Sequence, residues 1–194
     1  MEDLGPFLAA FVVFGLAGGL VLTLADADAD REGGVQARTA VALWLLAFFH
    51  ANTVVSAAFT DAGRLDALPR VPFLVLGLVV SAVGWLVFIT ATAQLVRRGA
   101  FVGLETTKLV TTGLFARMQH PQSVGWTLLL LGVAIASRSL LGLVLVAVFA
   151  IFARQYARRE ERGLRERFGA AYDQYRSGGT GPGTGRSRRP AATA

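Results

Sequence analysis

Residues 123–153 read SVGWTLLLLGVAIASRSLLGLVLVAVFAIFA, and the polar triplet Ser137-Arg138-Ser139 divides this apolar stretch into two halves of about 14 residues. Each half is shorter than the roughly 20 apolar residues that a helix needs to cross a bilayer. We interpret the stretch as a tight helical hairpin that extends beyond both of its ends, with the Arg138 side chain reaching the membrane interface at the tip. One long kinked helix is the alternative. Only a hairpin returns the chain to the side of the membrane from which it entered.

The rest of the chain is also too apolar for an ordinary soluble domain. Of its 194 residues, 54% are hydrophobic and 16% are charged, so lipid must be the solvent for much of the chain. Three further stretches without charged residues are long enough to span a membrane. The sequence therefore predicts an all-α, polytopic membrane helix bundle of about five spans, with a C-terminal helical hairpin and a cytoplasmic amphipathic helix. The predicted spans are residues 7–24, 39–59, 71–96, 121–136 and 140–156.

We expect one membrane domain over residues 1–176 and a disordered basic tail over residues 177–194, because the Gly, Thr, Pro, Ser and Arg of the tail cannot bury a core. Residues 25–34 alternate Asp with Ala and end in a Gly pair, which favours a solvated turn. Residues 97–122 are amphipathic and should lie at the membrane surface. The acidic residues before the first apolar run are unlike a signal peptide, so we expect that run to stay as a span.

The distribution of arginine and lysine predicts the orientation of the bundle. With five spans and the C-terminus inside, the most basic loops face the cytoplasm, whereas the opposite orientation would translocate them. We therefore expect an integral protein of a prokaryotic-type inner or plasma membrane with its N-terminus outside. The net charge of +6 then faces anionic membrane lipid, and nucleic-acid binding is not needed to explain it.

Small residues occur at helical spacing in two predicted spans. Gly15 and Gly19 form a GxxxG pair in the first, and Gly77, Ser81 and Gly84 lie on one face of the third. Such spacing lets helix backbones approach closely, so both sets predict helix packing. No strand, turn and helix unit surrounds a glycine cluster, which excludes a dinucleotide fingerprint. The chain has no cysteine, so disulfides and thiolate metal sites are excluded, and we predict no metal site.

Two histidines are present in the chain. His50 lies inside the second predicted span, where an ionisable residue is a candidate functional group, although a neutral histidine bonded to a neighbouring helix fits equally. Pairing of His50 with His120 around a haem is disfavoured because their predicted depths differ.

His120 directly precedes Pro121, which is a favoured first residue of a helix. Arg154, Glu160 and Glu161 follow the second half of the predicted hairpin. Because a hairpin returns its exit to the side of its entry, His120 and these three residues can share one pocket at the inner membrane boundary. A solvated charged helix is the alternative.

Two motifs in this part of the chain carry a resemblance. The first contains Gly113, His120, Pro121, Gly125 and Trp126, and the second contains Glu160, Glu161, Leu164, Phe168, Gly169, Tyr172 and Tyr175. Together they resemble the isoprenylcysteine carboxyl methyltransferase and phospholipid methyltransferase group of membrane enzymes over residues 109–175. The second motif is complete. In the first, Phe115 and Ser123 stand where the group has Tyr, and Gln119 stands where it has Arg.

The resemblance implies methyl transfer from S-adenosyl-L-methionine to a lipophilic or small amphiphilic acceptor, such as a prenylated molecule with a carboxylate, thiol or amine. It implies catalytic roles for His120, Arg154 and Glu161, with Arg154 suited to an anionic substrate group. The implied cofactor-binding residues are Gln119, His120, Pro121, Gly125, Glu160, Glu161 and Tyr172. Two alternatives stay open: a membrane reductase of the sterol reductase type that uses NADPH, and a non-catalytic membrane protein that retains the fold.

Overall fold

A computed structural model of the chain describes residues 4–32, 35–97 and 109–177, which form six α-helices and one short 3-10 helix with no strand among them. Four of the helices are long and apolar enough to cross a membrane, and a fifth, of 17 residues, is apolar but shorter. The prediction of an all-α polytopic membrane bundle is confirmed. The elements are α1 (Gly5–Glu32), α2 (Ala37–Thr60), α3 (Arg70–Val96), the 3-10 helix (Gly113–Ala116), α4 (Pro121–Ser137), α5 (Leu140–Phe168) and α6 (Ala170–Arg176).

The predicted hairpin is present as α4 and α5. Arg138 adopts a left-handed conformation with φ of 54° at the turn, and the Ser139 side chain caps α5 by accepting a hydrogen bond of 2.9 Å from the Gly142 amide. The alternative of one kinked helix is wrong. The Arg138 side chain is half-buried and donates to the Leu68 carbonyl at 2.8 Å. The guanidinium is thus held by the turn between α2 and α3, and its predicted position at the membrane interface stays a prediction.

Close packing of α3 on α4 confirms the small-residue face predicted for the third span. A Cβ atom on Gly84 would overlap the backbone of Leu129, and one on Gly132 of α4 would overlap Ser81. The Ser81 hydroxyl donates to the Leu129 carbonyl at 3.0 Å. Glycine is therefore required at these positions because the two backbones are in contact.

The packing prediction for Gly15 and Gly19 is wrong. Among the described residues, no neighbouring helix comes within 4 Å of a Cβ built at either position. The face of α1 that meets the bundle carries Phe14 and Gly18, and a Cβ built on Gly18 would lie 3.2 Å from the Phe152 ring. Small residues alone do not identify a packed face, because here larger apolar side chains on the neighbouring face bury more surface.

Residues 25–32 belong to α1, so the predicted solvated turn is also wrong there. No Gly or Pro interrupts the run before Gly33. The Asp28 carboxylate is buried and accepts hydrogen bonds from the Gln36 amide at 3.0 Å, Arg38 at 2.8 Å and the Thr39 hydroxyl at 2.6 Å. Asp28 therefore ties the end of α1 to the start of α2, through the backbone amide of the N-cap residue Gln36 and the side chains of Arg38 and Thr39.

The last predicted span continues without a break into the charged helix that the sequence suggested as a separate element. The α5 helix runs from Leu140 to Phe168, and Gly169, with φ of 51°, ends it before α6. No proline lies between Ala153 and Phe168, and the helix continues through the buried Gly163, so the polar part extends directly from the apolar part. The predicted tail from residue 178 and residues 98–108 of the predicted surface segment lie outside the described residues.

Candidate functional site

The polar cluster of the molecule lies where α4 begins and the polar half of α5 passes it. His120 is the residue before α4, and Glu160 and Glu161 lie on α5. His120 Nδ1 is 3.1 Å from Glu160 Oε2, and His120 Nε2 is 3.2 Å from Glu161 Oε1. The hairpin therefore brings together His120 and Glu161, which are 41 positions apart in the sequence.

This geometry requires a doubly protonated imidazole. Both ring nitrogens of His120 face carboxylate oxygens, and a neutral imidazole has only one N–H to donate. Burial alone would lower the pKa of His120, but the hydrogen bonds and charges of Glu160 and Glu161 outweigh it and raise the pKa to about 8. His120 is therefore mostly an imidazolium at neutral pH, with a side chain that is 18% exposed.

Residues of α6 complete the cluster around Glu161. Arg176 Nη1 lies 3.4 Å from Glu161 Oε2, so this carboxylate contacts two cations. The Tyr172 side chain is 1% exposed, and its hydroxyl has no hydrogen-bond partner within the described residues. Burial and then the charge of Glu161 raise the pKa of Tyr172 to about 12. Tyr172 thus keeps its proton and presents an unused donor beside the carboxylate.

Hydrogen bonds fix the segment that leads into His120. The Tyr175 hydroxyl donates to the Phe115 carbonyl at 2.5 Å, and the Gln94 side chain at the end of α3 accepts from the Leu114 amide at 3.2 Å. The 3-10 helix is therefore held from α6 on one side and from α3 on the other. These contacts constrain the position of the His120 backbone.

A cavity of about 90 Å³ extends from Glu160 into the bundle. It lies between α2, α3, α4 and α5, and six of its twelve lining residues are aromatic. Its lining residues are Leu43, Trp44, Ala47, Phe88, Gln122, Ser123, Trp126, Phe149, Phe152, Ala153, Tyr156 and Glu160.

Two indole groups of this cavity wall are unusual. The Trp44 and Trp126 rings pack edge to face, with centroids 6.0 Å apart. Neither Nε1 atom is accessible to water, and neither has a hydrogen-bond partner in the described part of the chain. Buried donors without partners cost free energy, so two in one wall call for an explanation.

The structure brings together some of the residues that the resemblance implied. His120, Glu160, Glu161 and Tyr172 form one cluster, and Pro121 is buried as the first residue of α4.

Three others stand apart from this cluster. Gly125 contacts the backbone of α3, Gln119 is half-buried, and Arg154 is exposed on α5. No ion pair joins Arg154 to a carboxylate of the described residues, and Arg154 does not line the cavity. The roles implied for these three residues stay predictions.

Sequence reasoning missed the contribution of the first two helices. Asp26 of α1 pairs with Arg159 at 3.0 Å, one position before Glu160, and α2 supplies Trp44 to the cavity. A usable signal for Asp26 was the absence of a helix breaker before Gly33. Nothing in the sequence indicated which face of α2 lines a cavity.

His50 has the environment of a structural group. Its Nε2 atom lies 3.0 Å from the Leu145 carbonyl oxygen, and the rings of Phe14 and Phe149 flank the imidazole at 4.3 and 5.4 Å. It is 1% exposed. A neutral imidazole that links α2 to α5 satisfies all these contacts, which agrees with the second of the two interpretations offered by the sequence.

Comparison with known proteins gives one informative result. No curated protein and no solved structure matches the chain. A family model described as phospholipid methyltransferase matches residues 72–171, slightly more than half of the 194 residues. The match includes most of α3, all of α4 and α5, and with them His120, Glu160 and Glu161. The chain belongs to the phospholipid methyltransferase family.

Proposed function

We propose that the chain is an S-adenosyl-L-methionine-dependent methyltransferase acting on a lipophilic or small amphiphilic acceptor at the membrane boundary. The observation that carries the proposal is the imidazolium of His120 between Glu160 and Glu161, at 3.1 and 3.2 Å, within the part of the chain that the methyltransferase family model matches.

The residues of the cluster fit the proposed cofactor. S-adenosyl-L-methionine carries an ammonium group, a sulfonium and ribose hydroxyls, which suit carboxylate acceptors. Glu160 and Glu161 are such acceptors, and the buried hydroxyl of Tyr172, which lacks a described partner, can donate to a polar atom of the cofactor. Gln119, Pro121 and Gly125 stay part of the proposed cofactor site. When bound, the cofactor supplies a methyl group on a positively charged sulfur.

The proposed role of His120 is to hold the two carboxylates. With a pKa raised to about 8, it is mostly protonated at neutral pH, which makes it a poor base. It orients Glu160 and Glu161 and offsets part of their mutual repulsion. We therefore assign proton acceptance, where an acceptor requires it, to a glutamate.

Placement of donor and acceptor supplies the proposed acceleration. Methyl transfer is an in-line displacement, for which fixed geometry and exclusion of water lower the barrier. The Tyr175 to Phe115 hydrogen bond holds the chain before His120 in one position. With the N-terminus outside, as the arginine distribution predicts, this end of the bundle faces the cytoplasm and a lipophilic acceptor enters from the bilayer.

The test is calorimetric titration of the purified protein in detergent with S-adenosylhomocysteine and with NADPH. We expect S-adenosylhomocysteine to bind and Glu161→Gln to weaken its binding at least tenfold. Glu166→Gln is the matched control, because Glu166 is exposed on the same helix and has no contact with the cluster.

Each outcome has a clear meaning. Equal weakening in both glutamine variants would show that net charge, and not the cluster, determines affinity. Binding of NADPH alone would favour the reductase alternative, and binding of neither ligand would favour a non-catalytic protein. Helicity measured by circular dichroism identifies any variant that has lost the fold.

A further inference from the structure

We infer that the cavity beside Glu160 receives the reacting end of a methyl acceptor that is protic and carries no negative charge. This rests on the proposed function and narrows its substrate class, which otherwise includes carboxylates, thiols and amines.

The cavity is small. Its volume is about 90 Å³, which is several times what a single buried water molecule needs. A reacting group of a few non-hydrogen atoms fits this space, whereas a complete lipid does not. The remainder of a larger acceptor would stay outside the cavity.

The charge of the lining opposes an anionic acceptor. Glu160 places a carboxylate in the cavity lining, and no lysine or arginine of the described residues contributes to the wall. A carboxylate or phosphate placed there would lose hydration and gain no cationic partner, which is strongly unfavourable. Arg154, the implied anchor for an anionic group, does not line the cavity. His120 is already paired with both glutamates.

Glu160 has an oxygen available for a protic group. Its Oε2 atom contacts His120 at 3.1 Å, and no donor among the described residues reaches Oε1. The side chain is 35% exposed, so a proton that it accepts can pass to water. A neutral acceptor hydrogen-bonds to this carboxylate, while an anionic one is repelled by it.

The proposed methyl transfer conserves atoms and charge. The acceptor heteroatom forms a bond to the methyl carbon as the bond from that carbon to the sulfonium sulfur breaks, and its electron pair returns to sulfur to give a neutral thioether. The acceptor proton passes to Glu160 and on to water. A carboxylate acceptor has no proton to release, and Glu160 would have no role in its reaction.

The aromatic wall suits an uncharged, ring-bearing or chain-bearing acceptor. Trp44, Trp126 and Tyr156 contribute large apolar surfaces to the cavity, which favour apolar groups by burial. Both indoles line the cavity, and their N–H groups have no described partners. Binding should therefore change tryptophan fluorescence.

The experiment uses three probes of similar shape: benzyl mercaptan, benzylamine and phenylacetate. Methylation is measured with a radiolabelled cofactor, and binding is measured by tryptophan fluorescence without the cofactor. We expect the thiol or the amine to be methylated at least tenfold faster than phenylacetate. Benzyl mercaptan should change the fluorescence of the protein, and Trp44→Phe should reduce that change.

A pair of alanine variants tests the location. Ala153→Leu fills the cavity, so it should raise the KM of the methylated probe at least tenfold and leave affinity for S-adenosylhomocysteine unchanged. Ala150→Leu is the control, because Ala150 is half-buried on the same helix but does not line the cavity, and it should change neither value. Equal effects of the two variants would overturn the location.

Three results contradict the acceptor class. They are methylation of phenylacetate at a rate comparable to that of the thiol, binding of the thiol without its methylation, and cofactor binding with no response to either protic probe. Absence of S-adenosylhomocysteine binding is a different failure, because it refutes the proposed function, and with it the acceptor role. The fluorescence titration would then still report whether the cavity takes an uncharged ligand.

Discussion

The protonation of His120 provides a quantitative test of the charged cluster. Its pKa is about 8, against an ordinary value of 6.5, and each pKa unit corresponds to 1.36 kcal/mol. The two glutamates therefore stabilise the folded protein by about 2 kcal/mol through this residue when His120 is charged. Because the pKa is raised on folding, this contribution is fully present below pH 6.5. It is lost as the pH rises through 8.

Nuclear magnetic resonance of the protein with ¹³C-labelled histidine, in detergent, measures this titration directly. His120→Gln assigns the resonance, and the expected midpoint is near pH 8. In the double variant Glu160→Gln, Glu161→Gln, burial acts without its opposing charges, so the pKa should fall below 6.5. Equilibrium unfolding in mixed micelles should give a free energy of unfolding that is about 2 kcal/mol lower above pH 8 than below pH 6.5, and the double variant should lack this decrease.

A wild-type midpoint at or below 6.5 would mean that the two carboxylates do not hold the imidazolium, and the charged cluster would then not exist as described. A midpoint near 8 that persists in the double variant would also contradict the cluster, since another anion would then have to be responsible. Retained helicity in the double variant is the necessary control.

Three further predictions concern the framework around the site. Gly84→Leu should prevent folding, because a side chain there overlaps the backbone of α4. Gly15→Leu should fold normally, because no neighbouring helix of the described residues lies within 4 Å of that position. The yield of monodisperse protein distinguishes the two variants. Tyr175→Phe removes the hydrogen bond to Phe115 and should speed hydrogen exchange at the 3-10 helix, with a loss of about 1 kcal/mol in local stability. Unchanged exchange would show that this hydrogen bond does not hold the 3-10 helix in place. Asp28→Ala leaves three donors without their acceptor and should lower the free energy of unfolding by about 3 kcal/mol or more, measured in the same micelle assay.

The membrane fold could be predicted because its signal is simple. Long runs without charge define helices in lipid, and the Ser137-Arg138-Ser139 triplet located the hairpin turn to the residue. The approach of His120 to Glu160 and Glu161 followed from the hairpin alone. These features depend on local chain direction and need no knowledge of which helix faces meet.

Features that depend on helix faces could not be predicted in the same way. Gly15 and Gly19 had the spacing of a packing motif, yet Gly18 is the residue in contact, because the rotation of α1 is determined by the other helices. The acidic run that ends α1 looked solvated, although Asp28 is fully buried by its contacts with the next helix. The Trp44 wall of the cavity likewise depends on the placement of α2 against α4.

The two walls of the cavity come from different parts of the chain. Glu160, Trp126 and Tyr156 belong to the family-matched residues, whereas Trp44 and Leu43 come from α2, which precedes the match. Under the proposed function, substitutions on α2 would change which acceptors the cavity takes and leave the charged cluster intact. A library of variants confined to that helix would then be the most direct way to alter the substrate range.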